Sequence, residues 1–328
     1  MGKMHFRCYK SHKNIEVVAI CDADLKQLKD TSGVKGNISG AEEKLDLSNI
    51  SLYSDLSKML AEEKLDAVSI ATPTFLHATH SIEALEAGLH VLCEKPMALN
   101  SADCLKMSAA AKHSGKILQV GHCIRFWPEY VQAKEIIDSQ KYGKVMAATF
   151  QRLSLTPTWS WDNWFLDGNR SGGAMLDLHI HDADYVQYVF GTPKAVFSQG
   201  VLGPSQDYDH CHTQYLYDNE SVITAEGGWI MSPGFGFEMS FKIMLEEATL
   251  IYSSAQEATF RIYPKDGEMV KPDIPEGDGY SFEIKHFVEH ISGKNVPSVI
   301  TPEQSADSVK IIEAEKESIR TMEKSSIS

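Results

Sequence analysis

Residues 66–93 read DAVSIATPTFLHATHSIEALEAGLHVLC, and their rhythm decides the fold. Asp66–Ala71 is a short apolar run without polar alternation, which predicts a strand buried on both faces. Leu76–Ala87 follows in a helical pattern that Gly88 terminates, and His90–Cys93 is a second strand. Strand, helix and strand at this spacing predict a right-handed parallel unit.

The same alternation extends both ways. Upstream, Glu16–Ile20 (EVVAI) is a β-branched strand, with a helix predicted over Lys3–Ser11 before it and another over Ala23–Lys29 after it. The stretch Gly33–Ile50 reads as a loop with a short helix. Downstream, Ser101 is expected to cap a helix that runs to His113 and stops at Gly115, before a strand at Ile117–Val120. The pattern changes after Gly121. Pro128–Ser139 reads as a helix, Val145–Leu155 as a strand and Met175–Phe190 as one strong helix. Long β-rich segments fill Ala195–Ile262, with a hairpin turn at Asp218-Asn219-Glu220. Two helices, Ser281–Ile291 and Thr301–Arg320, close the chain. The reading is therefore a parallel α/β domain over 1–121, and over 122–328 an α+β domain with a large, open, mostly antiparallel sheet.

Composition narrows the function. The formal net charge is -14, from 31 Lys+Arg against 45 Asp+Glu, which disfavours nucleic acid as a partner. No run approaches the length and apolarity of a membrane span, and the N-terminus has no basic patch followed by an apolar run. The six cysteines show neither CxxC pairing nor clustering, and His210 and His212 lack a third ligand at useful spacing, so no metal is expected. Reduced cysteines suit a cytoplasmic location.

Open parallel sheets bind ligands at the carboxyl ends of their strands. Asp22 ends the EVVAI strand, where a carboxylate can accept both ribose hydroxyls of an adenosine and repel a 2′-phosphate, favouring NAD over NADP. A complete GxGxxG turn is not present. Gly2 lies twenty residues before Asp22, the spacing of that turn's last glycine, and Met4 stands beside it. The sheet is thus expected to lack its first strand and most of the glycine turn, through a start site placed too late or with a weakened cofactor site.

Three motifs carry a resemblance over nearly the whole chain: Ala71-Thr72-Pro73-Thr74-Phe75-Leu76-His77, then Cys93-Glu94-Lys95-Pro96, then Gly172-Gly173-Ala174-Met175-Leu176-Asp177-Leu178-His179-Ile180-His181-Asp182. Together they resemble the glucose–fructose oxidoreductase and inositol dehydrogenase family. The resemblance implies a Rossmann domain followed by an open-faced sheet domain, NAD or NADP as cofactor, inositol, sugar or related cyclic substrates, and homodimers or homotetramers built partly on the sheet. It implies Lys95 as the active-site lysine, Asp177 as the supporting carboxylate and His181 as the catalytic histidine. Ala71, Thr72, Pro73 and His77 would flank the nicotinamide and its ribose, and Glu94 would contact cofactor. His179 departs from the pattern, because many relatives have glycine there.

The side chains suit hydride transfer at a carbinol carbon, which requires a base near neutrality. Asp177 and His181 are four apart, so a regular helix would stack them and let the carboxylate fix the imidazole tautomer. The Lys95 ammonium would bond the substrate oxygen. His122 and Arg125 follow a parallel strand and are candidates to face substrate. Trp161, with Trp159, Trp164 and Asn163 nearby, is a candidate sugar platform, though aromatic side chains also suit cores and interfaces. Two alternatives remain at this point. One is an NAD-using glycoside-cleaving enzyme; the other is a non-catalytic nucleotide- or sugar-binding regulatory protein.

Overall fold

The computed structural model describes residues 1–29 and 45–327, so the reading of Gly33–Ile50 lies largely outside the described residues. The parallel layer consists of two sheets. Ala19–Cys21 pairs in parallel with Ser51–Tyr53, and Ala67–Ile70, His90–Glu94 and Leu118–Gly121 form a three-stranded parallel sheet. Among the described residues no strand bridges Ala19–Cys21 and Ala67–Ile70. The amphipathic N-terminal segment forms a helix at Gly2–Ser11, with His5 and Phe6 buried.

The second layer is one eight-stranded sheet. Its spatial order is Phe260–Pro264, Ala248–Ser253, Phe237–Leu245, Val145–Leu155, Val222–Met231, Tyr208–Leu216, Ala195–Leu202 and Ser325–Ser326. Only the central pair, Val145–Leu155 with Val222–Met231, is parallel. The turn at 218–220 joins two antiparallel neighbours as expected. Alternation along Phe237–Leu245 puts Met239, Phe241, Ile243 and Leu245 on the buried face. There Phe241 meets Tyr130 edge-on and stacks on Tyr252, while Tyr185 donates its hydroxyl to the Tyr130 carbonyl at 2.6 Å.

Two local expectations are corrected. Asn100, not Ser101, caps the helix Ser101–Ser114: its side chain accepts from the Asp103 amide at 2.9 Å, while Ser101 bonds Glu313 on the last helix. The helix read over Met175–Phe190 is a π-helical segment, Met175–His179, followed by an α-helix, Ile180–Phe190. The wider π turn changes the angle between Asp177 and His181, with consequences at the site.

Candidate functional site

A cavity of about 2130 Å³ opens over the carboxyl ends of the parallel strands. It exceeds the roughly 300–1,000 Å³ of an ordinary ligand pocket because it also runs between the two parallel sheets. Its wall includes Asp22, Thr72 and Lys95 at the carboxyl ends and Asp66, Gly88 and His90 at the amino ends. The edge backbones of Ala19–Cys21 and Ala67–Ile70 both border it.

Lys95, Asp177 and His181 all line this cavity. The Lys95 Nζ donates to the Asp177 carbonyl at 2.6 Å and to Asp177 Oδ1 at 3.0 Å. An ammonium has three donors, so one N–H remains beyond Asp177. The expected Asp177–His181 hydrogen bond is not formed: the π turn carries the carboxylate to Lys95, and His181 Nδ1 is enclosed without a partner. Burial, reinforced by the positive charges of Lys95, Arg152 and His122, holds the His181 imidazole well below the usual histidine range. Burial thus favours the neutral ring, and with Nδ1 enclosed, Nε2 is the nitrogen that can meet a ligand.

The residues read as cofactor contacts also border the cavity: Gly2, Met4, Asp22, Ala71, Thr72, Pro73, His77, Glu94 and Lys95. His77 is a strut there. Its ring nitrogens lie 2.7 Å from the Pro96 carbonyl and 2.9 Å from the Thr72 carbonyl, tying the Thr72 loop to the Lys95 loop. Glu94 is buried, and burial alone would raise its pKa. The His5 hydrogen bond at 2.8 Å, with the charges of His5, Lys95 and the N-terminus, holds it at about 2. Thr72 Oγ1 is enclosed with no partner.

The substrate candidates divide. Trp161 lines the cavity and is 47% exposed, with the Arg170 guanidinium 5.8 Å from its ring centroid and 4.9 Å from that of Phe75. Asn163 is exposed, in left-handed backbone, and outside the wall. His122 and Arg125 also stand behind the wall rather than in it. Arg125 binds Asp184 through two bonds of 2.8 Å, donates to Gln304 and the Val299 carbonyl, and stacks on Tyr188, so its guanidinium is committed to the interior. His122 lies 3.4 Å from Asp184, and burial lowers its pKa to about 4.

Arg152 and His5 are among the wall residues not read from the sequence. Arg152 faces the cavity while paired with Asp182 at 2.8 Å and 3.1 Å. His5 joins Glu94 to Ser69 Oγ, 2.6 Å away. Both partnerships cross between distant elements, so spacing gives no sign of them. The Asp182 beside His181 was the one available hint.

Two family models match successive parts of the chain. Residues 1–122 match the model described as "Oxidoreductase family, NAD-binding Rossmann fold", and residues 130–251 match the GFO/IDH/MocA C-terminal domain. D-glucoside 3-dehydrogenase of Escherichia coli (strain K12) is 25% identical over 315 residues, covering 90% of this chain and 85% of that protein. The scyllo-inositol 2-dehydrogenase (NAD(+)) of Bacillus subtilis (strain 168) is 26% identical over 257 residues, covering 75% and 73%. A solved structure of levoglucosan dehydrogenase in complex with NADH and levoglucosan superposes with a TM-score of 0.83 at 20% identity, over 100% of this chain and 96% of that one, and so shares the fold. With both layers matched by models of one family, the chain belongs to the GFO/IDH/MocA oxidoreductase family.

Proposed function

We propose that this protein transfers hydride to or from a carbinol carbon of an inositol, sugar or sugar derivative, using NAD, with Lys95 and His181 as the catalytic residues and Asp177 positioning Lys95. The observation that carries this reading is the convergence of the Asp177-held Lys95 ammonium and the neutral His181 ring on one cavity.

The wall suits the cofactor at both ends. Asp22 stands at a strand's carboxyl end for an adenosine ribose, and the Thr72 loop, tied through His77 to the Lys95 loop, borders the nicotinamide end. The amino end of the Gly2–Ser11 helix also borders the cavity, where a helix N-terminus favours phosphate. Bound NAD supplies the hydride acceptor, or as NADH the donor. The protein supplies the rest. His181 Nε2 takes the substrate hydroxyl proton, and the third N–H of Lys95 bonds the same oxygen as it gains negative charge. In reduction the proton returns from His181. Trp161 offers an indole face beside this point for the C–H surface of a ring.

We further assign residues 1–121 to cofactor binding and 122–328 to substrate binding and self-association, in a cytoplasmic enzyme whose six cysteines are free. Among the described residues no helix is long and apolar enough to cross a membrane. The open sheet face exposes Phe197, Val201, Val222 and Met244, which suits a homodimer or homotetramer. Val222→Lys should reduce the mass measured by light scattering; an unchanged mass would place the interface elsewhere.

The decisive test is Lys95→Ala, assayed by nicotinamide absorbance across an inositol and aldose panel. Turnover should fall by ~10²–10³-fold while the NAD dissociation constant from calorimetry changes far less. Equal losses in both would make Lys95 a cofactor anchor and remove it from the chemistry.

A further inference from the structure

Beneath the catalytic segment, on the side away from the cavity, three side chains from distant parts of the chain meet in the interior. They are His179 at the end of the π segment, Cys211 in the strand Tyr208–Leu216, and Glu315 in the helix Pro302–Thr321. All three are 0% exposed. One nitrogen, the sulfur and one oxygen lie within 4.8 Å of one another. The Tyr215 hydroxyl stands 3.4 Å from His179 Nε2.

The cluster is poorly satisfied by its own members. His179 Nε2 and Glu315 Oε2 are 3.1 Å apart and the Tyr215 hydroxyl and Cys211 thiol also lie against this pair, yet these contacts miss good hydrogen-bond angles at both carboxylate oxygens, and among the described residues His179 Nδ1 has no partner. A buried carboxylate without aligned donors is costly. Close approach without donor–acceptor alignment is what ligand atoms show when they point at a common centre instead of at each other. The backbone also makes room for the arrangement. Cys211 pairs in register with Gly227, where a side chain would place its Cβ 2.7 Å from both Cβ and Nδ1 of His179.

We propose that His179, Cys211 and Glu315 form a closed structural site for one zinc ion, with the Tyr215 hydroxyl beside the fourth position. Imidazole, thiolate and carboxylate are a zinc donor set. Zinc–ligand bonds of about 2.0–2.3 Å imply ligand separations of about 3.3–3.7 Å, within reach of small rotamer changes from those present. A thiolate and a carboxylate neutralise the dication, so the loaded site carries no net charge into the interior. On binding, the His179 imidazolium nitrogen–hydrogen bond and the Cys211 sulfur–hydrogen bond give way to nitrogen–zinc and sulfur–zinc bonds, and two protons leave to solvent. The enclosed position excludes catalytic water. The ion's role is to fasten the π segment, which carries Asp177 and leads into His181, to the sheet and the last helix.

The test is zinc content of the purified full-length protein by elemental mass spectrometry. It is paired with unfolding and refolding of the reduced protein in excess cobalt(II), since a sealed site exchanges slowly. One zinc per chain is expected, together with a thiolate-to-cobalt charge-transfer band and the visible spectrum of a tetrahedral ion. His179→Gln should weaken metal retention by at least ~10–100-fold, and Cys211→Ser should abolish the charge-transfer band, while Cys8→Ala leaves both intact. Should Cys211→Ser fail to fold, His179→Gln, checked for native circular dichroism, decides alone. Absence of zinc and of the cobalt band in the unmodified protein, or a band that survives His179→Gln, would overturn the site and leave an imidazolium held between Cys211 and Glu315.

Discussion

The two layers solve the problem of strand pairing differently. In the eight-stranded sheet every interior strand has two hydrogen-bonded neighbours, and the buried face closes on a packed set of rings from Tyr130, Phe150, Tyr185, Phe241 and Tyr252. In the parallel layer, two strands and three strands stand apart with a cavity between and above them. The proposed catalytic groups come from both: Lys95 follows a parallel strand, while Asp177 and His181 belong to the segment that packs on the large sheet. A rigid layer therefore fixes two of the three groups, and the open layer brings the third together with the cofactor. Stability should reside in the first and ligand-dependent order in the second.

The largest expected effect tests the stability half of that contrast. Phe241→Ala removes a ring that is 1% exposed and in contact with four other aromatic rings, and should cost ~3–5 kcal/mol in denaturant unfolding. Leu52→Ala, on the half-buried strand Ser51–Tyr53, should cost only ~1 kcal/mol. Equal losses would show that the two layers unfold as one unit and that the contrast has no energetic content.

The next effect concerns ligand. At a hundredfold excess over its dissociation constant, NAD should stabilise the protein by ~2.7 kcal/mol. Hydrogen exchange should slow at the cavity borders, Ala19–Cys21 and Ala67–Ile70, and change little across Val145–Leu155. Protection centred on the large sheet would place the nucleotide away from the parallel layer.

What the sequence disclosed tracks how local each determinant is. Val145–Leu155 was read to the residue because an alternating strand declares itself over its own length. The cofactor and catalytic candidates line one cavity because each sits in a short motif at a strand end or helix start. Arg125 misled because its position after a parallel strand suggested exposure, whereas Asp184, Gln304 and Val299, all distant in sequence, draw it inside. The Asp177–His181 stack failed for a different reason. Hydrophobic period does not distinguish an α turn from a π turn, and one wider turn redirected the carboxylate to Lys95. His179 looked like a mere departure from a pattern, and its neighbours Cys211 and Glu315 could be seen only in three dimensions.

Buried charge sharpens the comparison between layers further. Beneath the large sheet, Asp182 and Asp184 are each matched by an arginine. Glu283, on the helix Gly279–Ile291 that packs against the N-terminal helix of the parallel layer, is 0% exposed, and among the described residues both its carboxylate oxygens are unpartnered. Burial, reinforced by the charges of Glu94 and Asp184, pushes its pKa well above the usual carboxylate value. The sign follows from proton counts. Between about pH 4.5 and the raised folded value, the folded state keeps a proton that the unfolded state has released, so this residue's contribution to stability falls as pH rises. Glu283→Gln removes that loss. Relative to the unmodified protein, its stability in denaturant should improve by ~1.4 kcal/mol for each pH unit above about 4.5 until the folded pKa is reached. The same series run on Asp184→Asn should show no such gain, because Arg125 would lose its partner. Parallel curves for Glu283→Gln and the unmodified protein from pH 5 to 7 would mean that Glu283 finds a partner in solution, and the parallel layer would then be no less satisfied than the sheet beside it.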